Sequence, residues 1–214
     1  MKFFFKVSRK EIFDISTALT ALAFSFQLVL FRKEIFTEGY FMNPNAMLGF
    51  FLQSLVIVGF AFVLHELGHK YVAQKKGLWA EFRAWPSGLI FAIIIALITR
   101  GNFVFAAPGA VVMAPVKKTF SYHIIKRLGP RDVGLIGIAG SLINLALVCL
   151  FGLLAILFNI KMFILGAQVN AWLALFNLIP FNPLDGAKVV YWSKSIWLGT
   201  FALSFCALVL SWLL

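Results

Sequence analysis

The sequence predicts an all-α polytopic membrane protein with about six transmembrane or re-entrant helices and a small membrane-associated β-hairpin. Of the 214 residues, 62% are hydrophobic and only 13% are charged, whereas soluble domains carry about 25% charged residues. A single soluble core cannot hide that much apolar surface from water. The apolar residues also gather in runs that approach the roughly 20 residues needed to cross a bilayer.

The apolar runs predict five full spans and one short excursion into the membrane. The run 88–99 is too short to cross a bilayer. It is followed by a turn signal at 100–102 and by a Pro-broken, Val- and Phe-rich stretch at 103–116 that favours extended structure. Residues 100–116 are therefore expected to form a hairpin that lines a cavity. The five predicted spans are 15–31, 46–73, 133–158, 162–179 and 196–214.

The distribution of charge predicts the orientation of the chain in the membrane. There are 19 lysines and arginines against eight acidic residues, a net charge of +11. Most of the bases fall in the N-terminal residues and in the loops 74–86, 117–131 and 180–194, which places these segments on the cytoplasmic side. The loop 32–45, nearly neutral, is expected outside. The basic excess therefore indicates a multi-pass protein of the cell membrane and no nucleic-acid partner.

A short motif at residues 65–69 (HELGH) carries the chemistry that the sequence predicts. His65 and His69 lie four residues apart on one helical face, a spacing at which both imidazoles can bind one Zn²⁺. Glu66 lies beside them and is the candidate general base. Because polar groups are costly at membrane depth, the position of the motif in an apolar span favours a functional role.

A catalytic zinc site needs a third protein ligand, and the sequence offers four candidates. Glu81 is followed closely by Arg83, which favours a surface ion pair, and His123 stands among other cations. Asp14 begins the first span, where a carboxylate favours a helix N-terminus. Asp185 is the favoured ligand, because Pro180 and Pro183 break the helix and Gly186 allows close backbone approach. It is also predicted on the same membrane face as the two histidines. A helix-capping role for Asp185 remains the alternative. The full set of candidates is Asp14, Glu81, His123 and Asp185.

Three motifs together resemble the site-2 protease family of intramembrane zinc metalloproteases: 65–69 (HELGH), 176–180 (FNLIP) and 182–186 (NPLDG). The resemblance covers about residues 46–190 of what is expected to be a single membrane domain, 1–214. It implies one catalytic zinc ion held by His65, His69 and Asp185, with Glu66 as catalytic base.

The resemblance also points to two asparagines. The family's Gly-Pro-x-x-Asn element reads GSLIN at 140–144, with Ser141 in place of proline. Asn144, which is kept, is a candidate contact to substrate or transition state, or else makes an interhelical hydrogen bond. Asn177, inside the 176–180 motif, is the second such candidate.

The predicted function is zinc-dependent hydrolysis of peptide bonds within or near transmembrane segments of membrane-protein substrates, that is, regulated intramembrane proteolysis. Such a substrate must unwind locally, and the extended stretch 103–116 offers an edge for strand addition. The active site is expected toward the cytoplasmic side. The alternatives are a membrane metal transporter and a non-catalytic family member that binds substrate. The partners expected are the substrate and the lipid bilayer, and the sequence leaves the oligomeric state open.

Overall fold

A computed structural model describes residues 7–115 and 128–214, which form eight α-helices and one two-stranded sheet. The five-residue π-helix Gly59–Val63 joins α2 to α3, so the helical path is continuous from Pro44 to Lys75. In chain order the elements are α1 (Arg9–Leu30), α2 (Pro44–Val58), α3 (Leu64–Lys75), β1 (Leu78–Ala84), α4 (Pro86–Ile98), β2 (Gly109–Pro115), α5 (Pro130–Phe158), α6 (Lys161–Asn177), α7 (Asp185–Trp192) and α8 (Lys194–Ser211).

Four helices in the described part of the chain are long and apolar enough to cross a membrane: Arg9–Leu30, Pro44–Lys75, Pro130–Phe158 and Lys194–Ser211. They indicate a membrane protein, as the composition predicts. The 13 residues of α4 and the 17 of α6 give lengths of only about 20 and 25 Å, below the roughly 30 Å of a hydrocarbon core. Length therefore supports four spans, and the count of about six stays a prediction.

The small sheet differs from the predicted hairpin. Residues 103–108 have no regular secondary structure, and β2 pairs in antiparallel fashion with β1, from Leu78 opposite Pro115 to Ala84 opposite Gly109. The expectation of a hairpin confined to 100–116 was wrong. The partner of β2 is β1, which lies in the segment 74–86 that the charge distribution predicted to be a loop. The apolar helix α4 separates the two strands in the chain. The turn at 100–102 is confirmed, with φ of +48° at Arg100 and +71° at Gly101.

The helix α5 lies at the centre of the bundle, in contact with α3, α6 and α7, while α1 packs against α2, α4 and β1. Small residues make the central contacts close. A Cβ added to Gly137 of α5 would lie 2.9 Å from Lys188 Cβ of α7, so α7 can reach this distance only because Gly137 has no side chain. The close packing of α3, α5 and α7 brings three separate sequence motifs together.

A buried ion pair attaches the start of α1 to α3 and β1. Lys70 Nζ donates to Glu11 Oε2 at 2.6 Å, and both side chains are 1% exposed. The other carboxylate oxygen, Glu11 Oε1, accepts from the backbone N–H of Phe82 at 3.1 Å. That bond occupies the edge of β1 that faces away from β2, so α1 covers one side of the sheet.

We expect Glu11→Ala to destabilise the protein strongly. Removing one partner of a buried pair costs about 3–5 kcal/mol, because the remaining buried charge loses the opposite charge beside it. The matched control is Glu38→Ala, which breaks the exposed Lys33–Glu38 pair and should cost under about 1 kcal/mol. Thermal unfolding in detergent measures both variants. Equal midpoints for the two would show that the Glu11–Lys70 pair does not hold α1 in place.

Candidate metal centre

The two histidines of α3 direct the same ring nitrogen to one point. His65 Nε2 and His69 Nε2 are 3.0 Å apart, as the four-residue spacing predicts. Both side chains are buried, with 3% and 4% of their residue surfaces exposed. The face of α3 that carries them packs against α5, so the imidazoles lie inside the helix bundle.

Asp185, the first residue of α7, reaches the same point from the other side. Its Oδ2 lies 2.8 Å from His69 Nε2 and 3.4 Å from His65 Nε2. The approach depends on Gly186, because a Cβ there would lie 2.2 Å from the carbonyl oxygen of Leu178. The predicted close backbone approach at Gly186 is confirmed.

Lys188 holds the second oxygen of this carboxylate. One turn along α7, its Nζ donates to Asp185 Oδ1 at 2.8 Å. Burial alone would raise the pKa of Asp185, but His69 and Lys188 lower it, and the pKa lies well below its usual range. Burial likewise opposes the charge of Lys188, yet Asp185 raises the pKa of that ammonium above its usual value. Asp185 is therefore an ionised carboxylate with one oxygen held and the other turned to the histidines.

Hydrogen bonds on the far side of each ring fix the histidine tautomers. His65 Nδ1 donates to Asn144 Oδ1 at 2.5 Å, and His69 Nδ1 donates to the carbonyl oxygen of Ile136 at 2.6 Å. Since both acceptors lack a hydrogen to give, the ring proton resides on Nδ1 in each case. With the ring proton on Nδ1, the Nε2 atom of each histidine is the atom that can bind a metal ion.

These donor atoms fit a zinc ion. Two imidazole nitrogens and one carboxylate oxygen, all within 4.8 Å of one another, are a donor set of catalytic zinc sites. The two Nε2 atoms and Asp185 Oδ2 lie 2.8 to 3.4 Å apart, so close that a cation, a proton or a metal ion, is needed among them. A Cβ on Gly140 would lie 2.5 Å from both Nε2 atoms. Glycine at this position therefore keeps the space beside the ligand atoms open.

Glu66 and a small cavity complete the site. The cavity has a volume of about 30 Å³, and its walls include Glu66, both histidines and Asp185, which is room for about one water molecule. Glu66 Oε2 is buried without a hydrogen-bond partner in the described residues. A buried carboxylate oxygen that lacks a hydrogen-bond partner is available to a ligand or to water. Residues 106–111 and 113 also line this cavity.

The other candidates for third ligand lie elsewhere or outside the described residues. Glu81 accepts from Ser8 and is paired with Arg83, the partner that the sequence suggested, but its carboxylate is buried and not at the surface. Asp14 is paired with Lys10 and Arg83 at the start of α1. His123 lies outside the described residues, as does most of the basic segment 117–131. Within residues 7–115 and 128–214, the metal-ligating group is His65, His69 and Asp185.

Two curated proteins resemble this chain over most of its length. The protein named "Putative zinc metalloprotease MJ0611" of Methanocaldococcus jannaschii is 36% identical over 198 residues, which cover 90% of each chain. "Putative zinc metalloprotease YwhC" of Bacillus subtilis is 30% identical over 178 residues, 72% of this chain and 73% of the relative. The chain belongs to this family of zinc metalloproteases. No family model and no solved structure matches it.

Membership of the zinc metalloprotease family agrees with the donor set. The family name implies zinc, and the His65–His69–Asp185 group can bind a metal ion. Of the two asparagines, Asn144 is fully engaged: besides its bond to His65, its Nδ2 donates to Ala61 O at 3.0 Å and to Asn170 Oδ1 at 2.8 Å. Asn177 lines the cavity, and its Nδ2 donates to Leu173 O.

Sequence reasoning missed three contributors to this metalloprotease site. Lys188 carries no motif signal beyond its spacing of three from Asp185. Gly140 entered the prediction only as the first residue of the 140–144 element, and Asn170 entered no functional prediction. Yet Gly140 borders the ligand atoms and Asn170 Oδ1 holds Asn144. The signal that could have found Asn170 is its amide in an apolar helix, because buried amides in membranes bond to one another.

We expect Asn144→Leu to weaken zinc binding. The leucine leaves His65 Nδ1 without its acceptor, so the ring is free to turn and change tautomer, and losing such a partner reduces metal affinity about 10- to 100-fold. The control is Ser141→Ala on the same helix, since Ser141 Oγ donates to Ala174 O, away from the histidines. Competition with a fluorescent zinc chelator measures both affinities. Wild-type affinity in Asn144→Leu would contradict the positioning of His65 by Asn144.

Proposed function

We propose that this protein is an intramembrane endopeptidase of the site-2 protease type, which hydrolyses peptide bonds within or near transmembrane segments of membrane-protein substrates. The observation that carries the proposal is the convergence of His65, His69 and Asp185, with Glu66 on the same cavity, inside a bundle with four helices long enough to span a membrane. The 36% identity to a relative named as a zinc metalloprotease supports hydrolytic chemistry.

A zinc ion at such a site acts as a Lewis acid toward a peptide carbonyl and makes water more acidic. His65, His69 and Asp185 would hold it. Glu66 accepts a proton from the attacking water and returns it to the leaving nitrogen, the usual task of a carboxylate general base. Its unpartnered Oε2 is the atom that performs the transfer. Asn177, which lines the same cavity, is the proposed contact to substrate.

Asn144 and Lys188 act through the ligands. The Asn144 side-chain oxygen accepts from His65, and its nitrogen donates to Ala61 O and to Asn170 Oδ1. The role of Asn144 is therefore to position the imidazole ring of His65. Lys188 holds Asp185 Oδ1 and thereby turns Oδ2 toward the histidines. A group held by its neighbours loses little entropy when it acts, which favours catalysis.

The substrate binds as an added strand at the outer edge of β2. A peptide bond inside a helix is protected by its own hydrogen bonds, so the substrate must be extended at the site of cleavage. The far edge of β1 is occupied by Glu11, whereas residues 109–111 of β2 lie in the wall of the cavity. Strand addition at β2 supplies main-chain hydrogen bonds independent of sequence, and it brings the substrate backbone to Glu66.

The site opens toward the cytoplasmic side of the cell membrane. The end of the bundle that carries it is also the end where α1 begins and α3 stops, with cations at Arg9, Lys10, Lys75 and Lys76. Basic residues are retained on the cytoplasmic side of multi-pass proteins. In this arrangement α6 completes a further crossing. The helix α4 enters the membrane, and the stretch 103–116 returns to the cytoplasmic side.

The test is cleavage of a membrane-embedded model substrate by the purified protein in vesicles. The substrate carries a transmembrane segment with a Gly- and Asn-rich stretch that unwinds easily, and the matched substrate replaces that stretch with leucine. We expect cleavage within the first segment, little in the second, and loss of cleavage on chelation with recovery on added zinc. Zinc accumulation inside the vesicles without cleavage would favour a transporter. Zinc-dependent retention of intact substrate would indicate a non-catalytic binding protein.

A further inference from the structure

A large cavity lies at the end of the bundle opposite the metal centre. Its volume is about 680 Å³, and it is bounded by the end of α1, the residues after α4, one face of α6 and the end of α8. The metal centre lies toward the other end, where Leu173 and Asn177 near the end of α6 line its cavity. The walls are mainly apolar, with Phe26, Leu30, Ile164, Leu165, Leu208 and Trp212 among them.

The rim of this cavity carries a positive charge. Three cations line it, Arg32, Lys33 and Lys161, against one carboxylate, Glu34. Lys161 is paired with Glu34 at 3.1 Å, Lys33 is paired with Glu38 at 3.7 Å, and Arg32 donates to the neutral amide oxygen of Asn102 at 3.0 Å. The side chains of Lys33 and Lys161 remain 78% and 66% exposed. The three cations outnumber the two carboxylates, and the exposed ammonium groups can also donate to an anion.

The charged rim and the apolar walls form one amphipathic groove. Its α6 face runs from Lys161 to Trp172, about 16 Å along the helix axis at 1.5 Å per residue. The cations stand at the end nearest the membrane surface, and the apolar side chains line the deeper part. The groove's volume is that of a small-molecule site.

We propose that this groove binds a phospholipid with an anionic headgroup, its phosphate at Arg32, Lys33 and Lys161 and an acyl chain along α6. The charge of the rim and the depth of the apolar walls match the two parts of such a molecule. The lipid would fill the space between α1 and α8 at this end of the bundle. This site is separate from the metal centre, so the proposal does not depend on the peptidase activity.

Native mass spectrometry of the purified protein, titrated with phosphatidylglycerol or phosphatidylcholine, tests the proposal. Wild-type protein should bind phosphatidylglycerol more tightly than phosphatidylcholine. In the Arg32→Gln/Lys33→Gln variant we expect phosphatidylglycerol affinity to fall about 30-fold, the factor for two cations at about 1 kcal/mol each. The matched control is Lys10→Gln/Lys75→Gln, which removes two exposed cations at the other end of the bundle and should bind as wild type.

A second variant tests whether the acyl chain lies along α6. Ile164→Trp fills the groove and keeps all three cations, so phosphatidylglycerol binding should be lost although the rim is intact. Displacement of the lipid by soluble glycerol phosphate would show that the headgroup binds without a chain. Such displacement would overturn the proposal. Equal affinity for the two lipids would do the same, and so would unchanged binding in both variants.

Discussion

Replacing Glu66 with glutamine is expected to abolish cleavage while zinc stays bound. The amide keeps the size of the side chain, and Glu66 is outside the His65–His69–Asp185 group, so the donor atoms are unchanged. An amide cannot accept the proton of the attacking water, and loss of a general base typically reduces rates about 100- to 10,000-fold. Cleavage of the model substrate and zinc content by atomic emission are measured on the same preparation.

Glu38→Gln is the control for this experiment, since Glu38 is an exposed carboxylate in the loop between α1 and α2. It should cleave at the wild-type rate. Undiminished cleavage by Glu66→Gln would refute the assignment of the base. Loss of zinc together with cleavage would show instead that Glu66 helps to hold the metal.

Adding one methyl group at Gly140 is expected to remove the metal. The new Cβ would lie 2.5 Å from His65 Nε2 and 2.5 Å from His69 Nε2, closer than real Cβ contacts. Because Gly140 belongs to the tightly packed helix α5, the imidazoles must move away from Asp185. We expect the zinc affinity of Gly140→Ala to fall by at least about 100-fold, the upper end of the effect of losing a ligand's outer contact.

The matched control is Gly152→Ala, three turns further along the same helix. Among the residues that the structure describes, a Cβ there meets Leu214 Cδ1 alone, at 3.7 Å, which is ordinary contact. Alanine also favours the helix over glycine by about 1 kcal/mol, so this variant should fold and bind zinc as wild type. Zinc bound equally by Gly140→Ala and Gly152→Ala would contradict the geometry at the ligand nitrogens.

Local patterns predicted the parts of the fold and site that depend on local geometry. The spacing of His65 and His69 requires only a helix, and the apolar runs require only enough length, so both predictions needed no knowledge of packing. Asp185 needed one further step, the charge-based topology that put it on the same membrane face as the histidines. That step was sufficient, because the polar turn before α7 confines Asp185 to one end of the bundle.

Other features arise from packing that the sequence does not display. The pairing of β1 with β2 joins strands separated by α4, and β1 has charged residues that resemble those of a loop. The acceptor for His69 is the backbone carbonyl of Ile136, a group that every residue carries and no motif marks. Gly140 likewise becomes significant only when α3 packs against α5 at this register.

X-ray absorption spectroscopy at the zinc edge, on the purified protein and on Asp185→Ala, tests the central claim most directly. The wild-type protein should contain one zinc ion per chain, with scattering from two imidazoles at about 2.0–2.1 Å and from oxygen ligands at similar distances. Asp185→Ala should lose most of its zinc. A spectrum without the two imidazoles, or one unchanged in Asp185→Ala, would contradict the assignment of His65, His69 and Asp185 as the metal ligands.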